Sequence, residues 1–174
     1  MAGILSELFS LKYSIGDLMN IDKDRMQKSS EMTVNLTNVY HEIKKESIFE
    51  KFKKFFFRNK DVMNVYYVIF RFEVSSPSGS VYTVLIRTYP DFDIKNYLDN
   101  TVEIFCSCSD FQFRCAYGLS KHKNLYRSTK TDQMLGQAIT QAPKVGYKTS
   151  LCCKHVYAAL SYLSSNYSTI MSNL

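Results

Sequence analysis

Two short pairs of metal-type ligands constrain this chain more than anything else in it: Cys106-Ser107-Cys108 and Cys153-Lys154-His155. A structural zinc site takes four thiolate or imidazole donors in a tetrahedron and commonly receives them as two close pairs. One residue separates the donors within each pair, and in extended chain that alternation turns both to one side. The intervening 44 residues, 109 to 152, can close on themselves because loop entropy grows slowly with length. A chain tied in this way must bring the end of a strand against the start of a helix. The competing reading is that these are buried cysteines acting as small hydrophobes. A lone CxC would be read so, but two pairs completing a four-ligand set point to zinc.

The surrounding pattern supplies both a strand and a helix. The segments 62 to 74 (VMNVYYVIFRFEV) and 81 to 89 (VYTVLIRTY) are long, aromatic and β-branched, and SSPSGS between them is a turn signal. They predict a β-hairpin, and TVEIFCS predicts a third strand that runs into Cys106. Val156, Ala159, Leu160 and Leu163 predict an amphipathic helix from about residue 154, which SSNYSTIMSNL either continues or leaves to fray. Upstream, residues 3 to 19 carry apolar side chains at helical spacing, with Gly16 expected to break the helix. The polar stretch NIDKDRMQKSS reads as a loop, and residues 31 to 40 alternate like a strand.

Residues 41 to 60 combine Ile48, Phe49, Phe52, Phe55 and Phe56 at helical spacing with Lys44, Lys45, Lys51, Lys53, Lys54, Arg58 and Lys60. They predict an amphipathic helix whose basic side is solvated or meets nucleic acid or a membrane surface. The segment from 116 to 150 is polar, basic and interrupted by glycine and proline, with one short helix expected around 132 to 140. The fold class expected is therefore α+β: an antiparallel hairpin plus a third strand packed with helices. Residues 1–60 form an N-terminal region, and residues 61–174 form a zinc-stabilised module with the insert 116–150.

Composition limits the function classes. Five cysteines are an odd number, and clustered cysteines in a reducing compartment mean metal more often than disulfides. Cys115 and Cys152 are left over; both are expected to line the core, although Cys152 could stand in for Cys153 as a ligand. His41 and His122 have no partner at ligand spacing, so surface or hydrogen-bonded histidines are expected. Asp110 and Arg114 would brace the metal loop. With 13 Tyr and 12 Phe, the chain can build a core from large rings, and metal need not supply all its stability. No apolar run is long enough for a membrane span. The N-terminus lacks a basic leader, and this predicts an intracellular product without an export signal.

The ligand pattern CxC followed by CxH resembles the SWIM-type zinc finger, whose ββα arrangement is similar to the hairpin, third strand and final helix expected here over residues 62 to 165. That pattern selects Cys153 over Cys152. The gap between the pairs is longer than is usual in that family. The local text, FCSCSDFQFRCAY and then LCCKHVYAAL after a long insert, also resembles small structural proteins of tailed bacteriophages. That resemblance implies a zinc-stabilised virion protein assembled in the host cytoplasm, a head–tail connector or a tail or neck ring component. It would contact other virion proteins and form a homo-oligomeric ring.

A catalytic zinc keeps a position open for water, and four protein ligands leave none. No HExxH, glycine-rich phosphate loop, GxSxG or deaminase pattern occurs, so no enzymatic activity is expected. The alternative is a nucleic-acid-binding zinc module, consistent with the net charge of +6. Lys121, Lys123, Arg127, Lys130, Lys144 and Lys148, interleaved with Tyr117, Tyr126 and Tyr147, would then meet phosphates and bases.

Overall fold

The structure is a computed structural model that describes residues 12–20, 23–47, 62–89, 91–129, 131–133, 136 and 151–174. Its centre is a four-stranded antiparallel sheet in the order β1-β2-β3-β4: β1 Thr33–Ser47, β2 Val62–Ser75, β3 Val81–Thr88 and β4 Val102–Cys106. The expected hairpin is β2–β3. Its turn is closed by Ser76 N–H donating to the Ser80 carbonyl (2.9 Å), with Gly79 at φ 82, a left-handed conformation that glycine adopts freely. The third strand is β4.

Alternation along the strands makes one face of the sheet the core. Phe70, Phe72, Val74, Val84, Ile86, Val102, Ile104 and Cys106 are all completely buried. Register aligns Phe72, Val84 and Cys106 across three strands. The C-terminal helix, Lys154–Ser172, lies on this face, with Tyr162 edge-on to Phe72 (5.9 Å between centroids) and Tyr167 beside Phe70 (5.9 Å). It buries Val156, Ala159, Leu160 and Leu163, the stripe expected for it. The tail continues this helix to Ser172. From the loop before β4, the Tyr97 hydroxyl donates to the Leu160 carbonyl inside the core (2.7 Å).

Three local expectations are corrected. The polar stretch before β1 contains a helix, Lys23–Ser30 (α2), although only Ser29 in it is buried. It has no apolar stripe to reveal it and is held by packing on the last helix. Residues 3 to 11 of the helix expected upstream lie outside the described residues; Gly16, expected to break it, sits inside the short α1, Ile15–Met19, capped by Ser14. A Cβ there would lie 3.3 Å from the Leu98 carbonyl oxygen, so glycine serves close approach. Residues 41 to 47, assigned above to a basic helix, continue β1 instead, because pairing with β2 extends to Ser47↔Val62. Tertiary pairing outweighs local composition there. Ile48, Phe49, Phe52, Phe55 and Phe56 lie outside the described residues.

After β4 the chain enters a helical stretch that contains a π turn, Phe111–Cys115, and the short helix α3, Ala116–Lys121. Phe111 packs edge-on against Phe105 (5.9 Å). Asn124, fully buried, then ties three segments together: it accepts from Tyr13 N–H (2.7 Å) and donates to the Tyr13 and Val102 carbonyls (2.8 and 2.9 Å). Residues 129, 131–133 and 136 are helical; the rest of the short helix expected around 132 to 140 lies outside the described residues. The C-terminal helix is α4. No helix among the described residues is long and apolar enough to cross a membrane.

Candidate metal centre

The centre is assembled where β4 ends and α4 begins. Cys106 closes β4, and pairing through β3 turns its side chain into the core. Ser107 prolongs that pairing: its N–H donates to the Thr83 carbonyl and its hydroxyl accepts from Thr83 N–H, both at 3.0 Å. The tether sets Cys108 at the mouth of the turn. Cys153 is the N-cap of α4, in extended conformation, and its side chain makes no capping hydrogen bond. Ser, Thr, Asp or Asn would normally cap a helix there. Cysteine leaves the cap unmade and keeps its sulfur for another partner. His155 follows in the first turn.

The four donor atoms of Cys106, Cys108, Cys153 and His155 lie within 4.8 Å of one another. A tetrahedral zinc with sulfur ligands needs donors about 3.8 Å apart, from bond lengths near 2.3 Å, so a small contraction seats the ion. All four residues are 3% exposed or less. The Nε2 atom of His155 is buried without a hydrogen-bond partner, and its Nδ1 is 4.0 Å from the Cys153 sulfur. A buried imidazole with an orphaned nitrogen is costly unless a ligand satisfies it. The Tyr82 ring covers the imidazole, with centroids 4.3 Å apart.

Electrostatics prepare the sulfurs for a cation. Cys108 accepts from the Phe111 N–H (3.3 Å), and Cys106 accepts from the Cys108 N–H (3.5 Å). Hydrogen bonds from Cys106 and Cys153 push the Cys108 thiol well down, so one thiolate is already favoured. Burial pushes Cys106 and Cys153 up, and they keep their protons until a metal displaces them. Zinc fits this donor set because thiolate and imidazole suit a borderline-soft ion without geometric preference. When bound, it joins the strand end to the helix start.

The supporting shell was partly legible. Asp110 and Arg114, expected to brace the metal loop, pair with each other (3.3 Å), and Arg25 on α2 also reaches Asp110 (3.4 Å) and donates to the Cys152 carbonyl (3.0 Å). Sequence reasoning missed Arg25 because the segment carrying it reads as a loop. Cys115 and Cys152 are completely buried and line the core; neither is in the ligand cluster. His122 lies 3.0 Å from the Tyr13 hydroxyl, and His41 is exposed on β1.

Among the described residues, the basic residues of the insert are not gathered in the same way. The Lys121 ammonium sits over the Tyr117 ring (4.4 Å), Lys123 occupies a turn at φ 58, and Arg127 pairs with Asp132 (2.8 Å). Tyr126, expected to offer its ring to bases, is buried with Arg87 stacked against it (4.9 Å). Lys130, Lys144, Lys148 and Tyr147 lie outside the described residues.

A family model for the SWIM zinc finger matches residues 82–122 and 146–164. The two matched blocks contain both ligand pairs and reach into both ends of the insert, leaving residues 123–145 unmatched. Comparison with curated proteins and with solved structures gives no match. The family match and the buried four-residue cluster together support a SWIM-type zinc finger, with zinc as its metal.

Proposed function

We propose that this chain is a non-enzymatic, zinc-stabilised assembly protein, a structural component of a tailed-phage virion acting as a head–tail connector or a tail or neck ring. The observation that carries the non-enzymatic part is the closure of the metal centre: four protein donors, each residue 3% exposed or less. A hydrolytic zinc needs a water position and a path to it. A cavity of about 390 Å³, lined by Tyr40, Arg71, Leu85 and Phe105 among others, opens on the sheet face opposite Cys106 and includes none of the ligands. Support for the virion role comes from the CSC-x-DF-x-x-R-x-A-Y and CKH text and the virion proteins it resembles. Quantifying the chain in purified phage particles tests this role. Recovery in a fixed multiple per particle is expected, and its absence from finished particles would overturn it.

Nucleic-acid binding by a SWIM-type module is the alternative, supported by the family match and the basic charge. It predicts binding whose affinity falls steeply with salt. No binding of DNA or RNA at low salt, together with ring assembly, would exclude it.

A further inference from the structure

Among the described residues the sheet has one edge that no other strand or bridge flanks. β4 is flanked by Leu125, since Ile104 N–H donates to the Asn124 carbonyl (2.8 Å) and Tyr126 N–H to the Ile104 carbonyl (2.9 Å). Among the described residues no strand flanks β1, and β1 is the longest strand, with 15 residues. β3 reaches β2 only as far as Val68↔Thr88, so from Glu42↔Tyr67 to Ser47↔Val62 the β1–β2 pair runs on as a two-stranded ribbon. Ile43 and Tyr66 face each other across that ribbon, and each is 58% exposed. A two-stranded ribbon is marginal in water by itself, and a long edge strand is a template for a further strand. The bulge at Thr37 interrupts only the first half of β1.

We propose that β1 pairs antiparallel with β1 of a second copy of this chain, on a two-fold axis at Ile43. The symmetry fixes which registers are open. A two-fold axis normal to a continuous sheet requires opposed residues to point to the same face, so their numbers must sum to an even value. Centring on Ile43 sets Ile43 against its own copy, Glu42 against Lys44 and Tyr40 against Glu46. Two oppositely charged pairs then flank an apolar centre, and opposite charges directly across strands stabilise a sheet. Centring one residue later would oppose Lys44 to Lys44 and Glu42 to Glu46, which like-charge repulsion disfavours. The register at Ile43 also joins Tyr66, Ile43 and their two copies into one apolar row. Edge charges often guard a strand against association. Here their alternation of sign selects one register while opposing its neighbour. The proposal stands on the sheet edge and does not depend on the virion reading.

Zinc-loaded full-length chain carrying Ile43→Cys tests it. Directly opposed antiparallel residues have Cα atoms about 4.5–5.5 Å apart, within the range a disulfide spans. The five native cysteines are all buried, so position 43 would be the reactive thiol among the described residues. Mild oxidation should give a covalent dimer with Ile43→Cys and none with Ser78→Cys, in the exposed β2–β3 turn. Sedimentation should show a reversible dimer of the unmodified chain, weakened at least tenfold by Ile43→Lys, with zinc content and circular dichroism unchanged. A monomer at all concentrations with no cross-link at position 43 would overturn the proposal. So would an oligomer that Ile43→Lys leaves intact, or one in which β1 pairs with another segment.

Discussion

Removing the metal should weaken this protein by a defined amount without unfolding it. The ion joins Cys106 and Cys108 to Cys153 and His155 and so closes the 44 residues from 109 to 152. Treated as a cross-link, closure of a loop of that length removes about 4 kcal/mol of chain entropy from the unfolded state. The core does not depend on the loop alone, since Phe70, Phe72, Ile69, Ile86 and Leu163 are all buried at 0–1% exposure. Domains are typically stable by about 5–15 kcal/mol. The apoprotein should therefore stay folded with a melting temperature lowered by roughly 8–16 °C, taking about 2–4 °C per kcal/mol for a chain of this size. The assay is a thermal melt followed by circular dichroism, before and after chelation, with one zinc per chain restored as the control. Cys108→Ser and His155→Ala should reproduce the loss. An unchanged melting temperature would refute the cross-link, and complete unfolding would refute the independent core.

Other outcomes follow from single contacts. Arg25→Met removes the donor to the Cys152 carbonyl and the partner of Asp110, so zinc affinity should fall about tenfold in a chelator competition. Because Cys106 and Cys153 are held protonated by burial until metal arrives, binding should release two protons. Affinity should then rise on the order of 100-fold per pH unit between pH 6 and 8, and a flat profile would show that the sulfurs are already ionised. Tyr97→Phe leaves the Leu160 carbonyl without its donor, at a cost of about 1–2 kcal/mol in urea denaturation. Asn124→Leu strands the Tyr13 and Val102 carbonyls and should cost about 3 kcal/mol, with faster hydrogen exchange at Tyr13.

The ligand set was readable because coordination chemistry demands particular residue types at short spacing, and CxC and CxH carry that demand in the chain itself. The hairpin, β4 and α4 were readable because each buries one face and so repeats at its own period. What escaped shares a different character. The Lys23–Ser30 helix has no apolar stripe and is stabilised by contacts with a helix more than a hundred residues away. Arg25 was hidden for that reason. The run of β1 through Lys44 and Lys45 was concealed by charge, since strand formation there depends on β2 and not on composition. Asn124 lies in a polar stretch and matters only because Tyr13 and Val102 come to it in space.

The convergence of both ligand pairs on one point has an evolutionary consequence. After Cys108 the chain stays in the core through Phe111, Leu119, Asn124, Leu125 and Tyr126, and it is again buried at Cys152, so the core contacts and the metal together fix both approaches to the insert. Lengthening such a loop twofold costs only about 0.6 kcal/mol. Changes of length between residues 133 and 151 are therefore cheap so long as the four ligands and the buried residues from Phe111 to Thr131 survive. Descendants of one ancestor could carry unrelated inserts on the same scaffold, and a foreign peptide grafted there would inherit a ready-made pair of anchored ends.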